Sequence, residues 1–382
     1  RIEVVHLHQW ARRFMKTQGF DFDLAAPEDE KACWEQAVEL SDGAAWEPSF
    51  LRDEWEQVVQ AAGIQTRQEY LVARRIGRGK TLSRKDRAEI WRVFEEYMTA
   101  MRDRGKIGWT DLVRQTRQYL EDKSLLPYRA VIVDEAQDFH DEEWRLVRTL
   151  VPGGPNDLFI VGDAHQRIYG RRVVLGKCGV NVRGRSARLR INYRTTEEIR
   201  NWALAILHGV EVDDLDGGLD DQMGYTSLLS GPPPSIMRFA SLDEEQQAVG
   251  RLVSDLLKDR RPEDICVAAR TKALLKKNYA PALELAGIPF TMLEGEDDAG
   301  LSGVRMATMH RVKGLEFPCM VLAGVNEGVI PYNRGGLEDN PVARQEHDHR
   351  ERALLFVAAT RARDSLTVTC SGAPSPYLDS FT

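Results

Sequence analysis

Two apolar runs in the middle of the sequence end in polar residues that could carry out phosphate chemistry. Ala130–Val133 leads into Asp134 and Glu135, and Leu158–Val161 leads towards Gln166. Such runs are typical of buried parallel strands, whose carboxyl ends are where α/β proteins bind ligands. An aspartate there can hold Mg²⁺ through its waters, and the adjacent glutamate can polarise an attacking water. The amide of Gln166 could sense a γ-phosphate or a water.

Each of these groups also has a plain structural interpretation. Asp134 and Glu135 could form a solvated acidic turn, although four apolar residues followed by Asp-Glu-Ala-Gln-Asp favour a site. Gln166 could be an ordinary loop amide, and His165 is interpreted as a surface residue. An arginine at a helix end, such as Arg361, is commonly a surface residue that lies over apolar neighbours.

Three further segments place charged residues at the ends of predicted elements. They are Asn192-Tyr193-Arg194 before a helix, Thr308-x-His310-x-x-Lys313-Gly-Leu-Glu316-Phe after a strand, and Val357-Ala-Ala-Thr360-Arg361-Ala362 at the end of a helix. Each segment alone could be structural, so their order along the chain matters more than any one of them.

The spacing of apolar residues indicates which elements hold these groups. Ile2–Val5 is predicted as a short strand before an amphipathic helix, and residues from about 20 to 125 follow helical spacing. Later strands and helices alternate, which predicts a doubly wound α/β fold with parallel sheets. The later strands are predicted at Ser235–Phe239, Ile265–Ala269, Phe290–Leu293, Val304–Thr308, Cys319–Ala323 and Leu366–Thr369.

Composition excludes several classes of protein. The 382 residues carry 52 basic and 59 acidic side chains, and a net charge of −7 excludes a histone-like protein that binds nucleic acid by bulk charge. No stretch approaches the roughly 18 apolar residues that span a bilayer, so no membrane partner is expected. Five scattered cysteines predict reduced thiols of a cytoplasmic protein.

Two segments of the chain are strongly basic. The basic residues of 163–200 favour a track that binds DNA phosphates, whereas the basic cluster at 67–87 could also be a solvated face.

Taken in order, the five polar segments resemble the successive motifs of superfamily 1 DNA helicases of the UvrD/Rep type. The resemblance runs from about residue 4 to the carboxyl terminus, and five motifs in one order make it specific. Three weaker similarities accompany it: Val4–Ala11 resembles the family's early DNA-contacting stretch, Trp109–Leu112 its (F/Y)xDL marker and Glu327–Pro331 its EEGxFP element.

The resemblance implies two RecA-like doubly wound parallel-sheet domains with an α-helical insert in the first. The first domain would span 1–187; it would be incomplete at its amino end and would contain the helical insert at about 20–125. The second domain would span 188–382 and would lack the family's large second insertion.

The resemblance also implies residue roles in ATP hydrolysis. Asp134 would coordinate Mg²⁺, Glu135 would activate the hydrolytic water, and Gln166 would couple the γ-phosphate to the DNA site. Arg194 and Arg361 would reach the γ-phosphate from the second domain as arginine fingers.

Further roles concern the nucleoside and the DNA. Tyr193 would stack on the adenine and Glu316 would bind the ribose. The residues expected to contact or communicate with single-stranded DNA are His8, Tyr169, Arg171, Arg172 and His310. Because Arg171 and Arg172 stand where relatives often carry an aromatic residue, binding is expected to depend more on phosphate contacts.

The sequence departs from the family pattern at the phosphate-binding loop. No GxxxxGK[ST] precedes the other motifs, and the segment Gly77–Thr81, although it ends in Gly-Lys-Thr, has Arg74 in place of the first glycine. We interpret this segment as a solvated basic turn. The chain is therefore expected to be a fragment of a longer helicase and inactive by itself. The alternatives are a subunit completed by a second chain, and a helicase-derived DNA-binding or scaffold module with an inactive ATP site.

The function implied for the intact polypeptide is ATP-dependent translocation on DNA. Mg·ATP hydrolysis between the two RecA-like domains would drive 3′→5′ movement along single-stranded or partly duplex DNA and unwind it. The enzyme would act in the cytoplasm, in association with the nucleoid.

Overall fold

A computed structural model describes residues 2–41, 46–75, 81–168, 173–212, 218–219, 224–295, 302–333 and 341–381. The chain divides into two units. Unit 1 comprises 1–162, 170–185 and 215–217, and unit 2 comprises 163–169, 186–214 and 218–382. The segment 163–169, which lies within the predicted first domain at 1–187, belongs to unit 2. No described helix is long and apolar enough to cross a membrane.

The described part of unit 1 is mainly helical. Its helices are α1 (Leu7–Thr17), α2 (Pro27–Leu40), α3 (Pro48–Glu54), α4 (Arg67–Val72), α5 (Arg84–Asp103), α6 (Trp109–Asp122) and α7 (Asp141–Thr149). Helices α2 to α5 pack around an aromatic core that includes Trp34, Trp55, Phe94 and Tyr97. The helical spacing predicted over about 20–125 is therefore observed. Helix α5 begins at a capping box, in which the Ser83 hydroxyl accepts from Asp86 N–H and the Asp86 carboxylate accepts from Ser83 N–H.

Four short strands form two parallel pairs in unit 1. They are β1 (Asp23–Leu24) with β2 (Lys106–Ile107), and β3 (Val131–Val133) with β4 (Leu158–Ile160). Strands β3 and β4 confirm the two apolar runs predicted to precede the polar groups. One face of this pair packs on α6 and α7, whereas Ile132 and Phe159 on the other face are 76% and 65% exposed.

The predicted strand at Ile2–Val5 is wrong. Residues 2–6 have no strand pairing, and Ile2 and Val4 are more than 90% exposed. The apolar pattern suits a strand, but a strand needs a neighbour for its backbone hydrogen bonds, and none of the described strands pairs with this segment. The helix predicted to follow is present as α1.

Unit 2 is built on a six-stranded, fully parallel sheet. The sheet strands are β7 (Ser235–Phe239), β8 (Ile265–Ala269), β9 (Phe290–Met292), β10 (Val304–Thr308), β11 (Phe317–Leu322) and β12 (Ala362–Ser371), in the order β7-β12-β11-β8-β10-β9. A separate parallel pair joins β5 (Ile191–Thr196) to β6 (Thr226–Leu229). Each of the six later strands predicted from the sequence is therefore present.

Helices cover both faces of the six-stranded sheet. They are α8 (Glu197–Ile206), α9 (Leu242–Leu256), α10 (Lys272–Leu274), α11 (Ala280–Leu285) and α12 (Pro341–Ala359). Helices α8 and α12 belong to the core on one face, and α9 and α11 to the core on the other. The residues of β8 are fully buried and alternate between the two cores. This arrangement confirms the predicted α/β class with parallel sheets.

Candidate functional site

The turn after β3 presents two carboxylates at the carboxyl end of the strand. Asp134 is exposed, and its Oδ1 accepts a 2.8 Å hydrogen bond from Glu135 N–H. Glu135 has a φ of 52°, in the left-handed region that non-glycine residues rarely occupy. Gln137 Nε2 donates to Glu135 Oε2 at 2.5 Å. Because strained backbone of this kind clusters at functional sites, the turn is a good candidate for chemistry.

Gly162 allows the end of β4 to lie against this turn. A Cβ at Gly162 would lie 2.9 Å from both Ala136 Cβ and Gln137 Oε1, closer than real Cβ contacts come. Ala136 N–H donates to Val161 O at 3.0 Å, which fixes the two strand ends together. Any larger residue at 162 would therefore displace the turn that carries the carboxylates.

Gln166 is held from three sides within unit 2. Arg361 Nη2 donates to Gln166 Oε1 at 2.9 Å, Lys313 Nζ donates to the Gln166 carbonyl at 3.0 Å, and Gln166 Nε2 donates to Asp163 Oδ2 at 2.8 Å. Three segments distant in sequence thus meet at one residue. Arg361 is only 2% exposed, so the interpretation of it as a surface arginine is wrong.

Asp163 stays ionised in this arrangement. Burial alone would raise the pKa of this carboxyl, but hydrogen bonds from His165 and Gln166 outweigh it and hold the pKa below its usual range. His165 is itself buried, at 8% exposure, so the surface position predicted for it is also wrong. The carboxylate therefore stays a firm acceptor for the Gln166 amide at neutral pH.

Arg194 and Glu316 form an ion pair. Arg194 Nε lies 2.9 Å from Glu316 Oε2, and both side chains are about half exposed. Exposed pairs of this kind contribute only about 0–1 kcal/mol, so either side chain can turn to a ligand at little cost. Tyr193, the predicted adenine partner, is 69% exposed on β5.

The predicted residues of unit 2 fall at opposite edges of its sheet. Glu316 precedes β11 and Arg361 precedes β12, and Phe317 N–H donates to Arg361 O at 2.9 Å, so both lie at the amino edge. His310 follows β10 and lies at the carboxyl edge. One segment, 309–316, connects the two edges, and it contains Gly314 with a φ of 79°.

A further cluster of side chains, which the motifs did not predict, lies at the carboxyl edge of the sheet. Arg270, directly after β8, donates to both oxygens of Glu351 at 2.7 and 2.9 Å, and Glu351 Oε2 accepts from Tyr332 N–H at 2.9 Å. The Arg270 guanidinium lies 5.1 Å from the centre of the Tyr332 ring, which is 42% exposed. His347 Nε2 lies 2.7 Å from Tyr332 O. We call these four residues the Tyr332 platform; its sequence signal was an arginine directly after a buried apolar run.

Glu351 remains charged within the platform. Burial opposes ionisation, but hydrogen bonds from Arg270 and from Tyr332 N–H hold the pKa of this carboxyl below its usual range. The exposed ring therefore rests on a satisfied, buried ion pair and has a fixed position.

His8, the predicted DNA-contacting residue of unit 1, lies at the start of α1. Its Nε2 is 3.2 Å from Glu143 Oε1, and its ring meets the Trp109 ring edge-on, with centroids 5.3 Å apart. Burial lowers the pKa of His8, against the opposing attraction of Glu143, so the imidazole is neutral at pH 7.

Some predicted positions lie outside the described residues. They are Tyr169, Arg171 and Arg172 of the DNA-binding prediction, and Gly77, Gly79 and Lys80 of the basic turn.

Two family models match the chain in the expected order. The UvrD/REP helicase N-terminal domain matches residues 2–173, and the UvrD-like helicase C-terminal domain matches residues 291–372. The matched regions contain Asp134, Glu135, Gln166, Glu316 and Arg361. Both models describe UvrD-type helicases, and they match in the order N-terminal domain, then C-terminal domain. The chain belongs to the UvrD/Rep helicase family.

Individual relatives carry corresponding names. The ATP-dependent DNA helicase PcrA of Bacillus subtilis is 39% identical over 74 residues, which cover 19% of this chain and 9% of the relative. The ATP-dependent DNA helicase UvrD2 of Mycobacterium tuberculosis is 26% identical over 238 residues, covering 61% and 30%. A probable DNA helicase of Mycoplasma pneumoniae is 25% identical over 295 residues, covering 74% and 52%. The chain thus spans about half, or less, of the length of these curated relatives.

Among solved structures, the chain is similar to the C-terminal domain of a possible DNA helicase from Lactobacillus plantarum. The sequence identity is 20% and the TM-score 0.36, and the match covers 49% of this chain and 92% of that one.

Proposed function

We propose that the polypeptide containing this chain couples Mg·ATP hydrolysis to 3′→5′ movement along single-stranded DNA, and thereby unwinds partly duplex DNA. The observation that supports this most directly is the three-sided hold on Gln166. A side-chain amide fixed by Arg361 and Asp163, on a backbone carbonyl held by Lys313, suits a residue that responds to the presence of a bound phosphate. The working place of such an enzyme would be the nucleoid, in the cytoplasm.

The residues of unit 1 would serve the metal and the attacking water. The exposed carboxylate of Asp134 is a hard oxygen ligand of the kind that hydrated Mg²⁺ accepts, since this ion keeps several waters and takes few protein ligands. When bound, Mg²⁺ would neutralise charge on the β- and γ-phosphates. Glu135, held in its turn by Gln137, would accept the proton of the attacking water.

The residues of unit 2 would bind the nucleotide. Arg194 would leave Glu316 for the γ-phosphate, which frees Glu316 to accept from the ribose hydroxyls. The exposed Tyr193 ring would stack on the adenine. Arg361 would stabilise the negative charge that develops on the γ-phosphate. Through its hydrogen bond to Gln166, it would also make the position of that amide depend on whether the phosphate is bound.

The carboxyl edge of the unit 2 sheet would meet the DNA. His310 lies at this edge together with the Tyr332 platform, whose exposed ring is suited to stack on an unpaired base. Tyr169, Arg171 and Arg172 stay predicted DNA contacts. The segment 309–316 would then link base binding at one edge to nucleotide binding at the other.

A steady-state assay of the full polypeptide tests the proposal. Single-stranded DNA should stimulate ATP hydrolysis, and Glu135→Gln should abolish most turnover while ATP-dependent DNA binding persists. Glu35→Gln on α2 removes an exposed carboxylate outside the site and serves as the matched control. DNA binding without any hydrolysis by the unaltered polypeptide would instead support a non-enzymatic DNA-binding module.

A further inference from the structure

Helix α9 buries a carboxyl group that the proposed reaction does not use. The exposed fraction of Glu245 is 0%. Its Oε1 accepts a hydrogen bond from Gly324 N–H at 3.0 Å and another from the Thr369 hydroxyl at 2.5 Å. Burial of a carboxyl group is costly unless polar partners replace the lost water. Because the two partners belong to different segments, this one side chain ties α9 to both of them.

Gly324 is the residue at which the chain changes partners as it leaves β11. Ala323 N–H still donates to β8, at 2.8 Å, whereas Val325 N–H donates to β12, at 3.0 Å. The buried Gly324 N–H between them bonds to Glu245 instead of a strand, and a φ of 70° turns the backbone there. Glu245 therefore supplies the acceptor that a neighbouring strand would otherwise provide, and it holds this turn in place.

The segment 324–332 begins at this turn and ends at Tyr332 of the platform. Along its length it is bonded to the chain at the end of β12, where Ser371 N–H donates to Asn326 Oδ1 at 2.9 Å. That end of β12 is itself bonded to Glu245 through the Thr369 hydroxyl. A displacement at Glu245 would therefore move both of the segments that meet there.

We propose that Glu245 is a positioning residue for the DNA-binding edge of unit 2. The inference rests on the proposed function, in which the exposed Tyr332 ring stacks on an unpaired base. Glu351 holds Tyr332 N–H and Glu245 holds Gly324 N–H, so a buried carboxyl group fixes each end of the segment 324–332. Without Glu245, the buried N–H would lose its acceptor, which is unfavourable enough to make the turn move towards another. The ring at the far end would then lose its fixed position.

Three substitutions separate this hydrogen bond from a general loss of stability. Glu245→Leu keeps an extended side chain and removes the acceptor. Glu245→Gln keeps an oxygen for Gly324 N–H and should restore the behaviour of the unaltered protein. Glu244→Leu makes the same change at the neighbouring residue, whose exposed carboxyl group accepts from Ala240 N–H, and is the matched control.

A fourth substitution reaches the same turn while the buried carboxyl group stays in place. In Gly324→Ala the new Cβ would lie 2.7 Å from Tyr279 Oη, and the φ of 70° is strained for alanine. The turn should therefore shift as it does in Glu245→Leu. This variant keeps the inference testable if Glu245→Leu does not fold.

Affinity for single strands is measured on the full polypeptide by anisotropy of a labelled dT oligonucleotide. We expect Tyr332→Ala to bind about 5- to 150-fold more weakly, and Glu245→Leu and Gly324→Ala at least about 5-fold more weakly. Glu245→Gln and Glu244→Leu should stay within about twofold of the unaltered protein. The double variant Glu245→Leu/Tyr332→Ala should bind as Tyr332→Ala does, because the ring through which Glu245 acts is already absent.

Hydrogen exchange distinguishes a local effect from a general one. In Glu245→Leu, amide exchange should become faster over 324–332 and stay unchanged in β8, at the centre of the sheet. Equal acceleration over the whole of unit 2 would show that Glu245 only stabilises the fold, and the inference would be wrong.

The binding results separate the inference from the proposed function. If Glu245→Leu and Gly324→Ala bind single strands within about twofold of the unaltered protein, or if the effect of Glu245→Leu adds in full to that of Tyr332→Ala, the inference is wrong and the proposed function stands. Undiminished affinity of Tyr332→Ala would also overturn the inference, because there would be no base contact for Glu245 to position. If the unaltered polypeptide binds no single-stranded DNA, the proposed function fails and the inference fails with it.

Discussion

Removal of the Arg270 side chain should destabilise unit 2 strongly. Arg270→Ala deletes both donors to Glu351, a carboxylate that is only 5% exposed, and leaves Tyr332 N–H as its remaining partner in the platform. Breaking a buried ion pair from one side costs about 3–5 kcal/mol, because the remaining charge stays buried. At about 2–4 °C per kcal/mol for a domain of this size, the unfolding midpoint should fall by roughly 6–20 °C.

Calorimetry at pH 7 measures this effect, and a double variant isolates its cause. Arg270→Met/Glu351→Leu removes both charges and fills similar volume, so it should recover most of the lost stability. A midpoint for Arg270→Ala within 2 °C of the unaltered protein would refute the reasoning, because it would mean that the Glu351 charge is solvated. A double variant as unstable as Arg270→Ala would show that packing, not charge, determines the loss.

The same pair sets a dependence on pH. Because the folded-state pKa of Glu351 is depressed, its ionisation contributes stability above the unfolded pKa, and this contribution is lost as the pH falls through the folded pKa. Without Arg270 the main cause of that depression is gone and burial raises the pKa. The acid-induced loss of stability should therefore begin at higher pH in Arg270→Ala than in the unaltered protein.

Three further outcomes are expected. In the full polypeptide, Glu135→Gln should lower ATP turnover by orders of magnitude with DNA binding retained, and normal turnover would exclude Glu135 as the base. Arg361→Ala should lower turnover about 10³-fold or more, as measured at saturating ATP and DNA, because the developing charge and Gln166 both lose their donor. The hydrogen bond from Arg200 helps to lower the pKa of Glu197 to about 2, so its contribution to stability should be lost as the pH falls from about 4.5 towards 2. Thermal unfolding of Glu197→Gln should show a flatter profile over that range, and an unchanged profile would contradict the assignment.

The sequence was most informative where local pattern alone determines structure. Short apolar runs identified β3, β4 and the strands of the unit 2 sheet. The clearest case is β8, which is buried on both faces and is apolar at every position. The same criterion failed at Ile2–Val5, where the pattern is right but no described neighbour supplies hydrogen bonds. Local pattern therefore detects the capacity to form a strand, whereas pairing depends on the rest of the fold.

The candidate site was predictable residue by residue but not as an arrangement. Motif order identified Gln166 and Arg361, yet their contact joins positions 195 residues apart, which no local spacing encodes. The Tyr332 platform was missed for the same reason. Arg270, Tyr332 and Glu351 come from three separate segments and are unremarkable one at a time. Their role becomes visible only when the sheet brings them together.

Gly314 gives the segment 309–316 a backbone conformation that other residues rarely adopt. Its φ of 79° is strained for any L side chain, yet a Cβ placed there would meet no atom within 4 Å. Alanine at this position would therefore add no collision and would only restrict the backbone, at a cost of about 1 kcal/mol or more. In the proposed coupling between the two edges, Gly314 would be the residue whose backbone freedom lets this segment change conformation. Alanine at this position should therefore leave the affinities for nucleotide and for DNA unchanged. It should weaken only the effect that DNA binding at one edge has on the nucleotide site at the other.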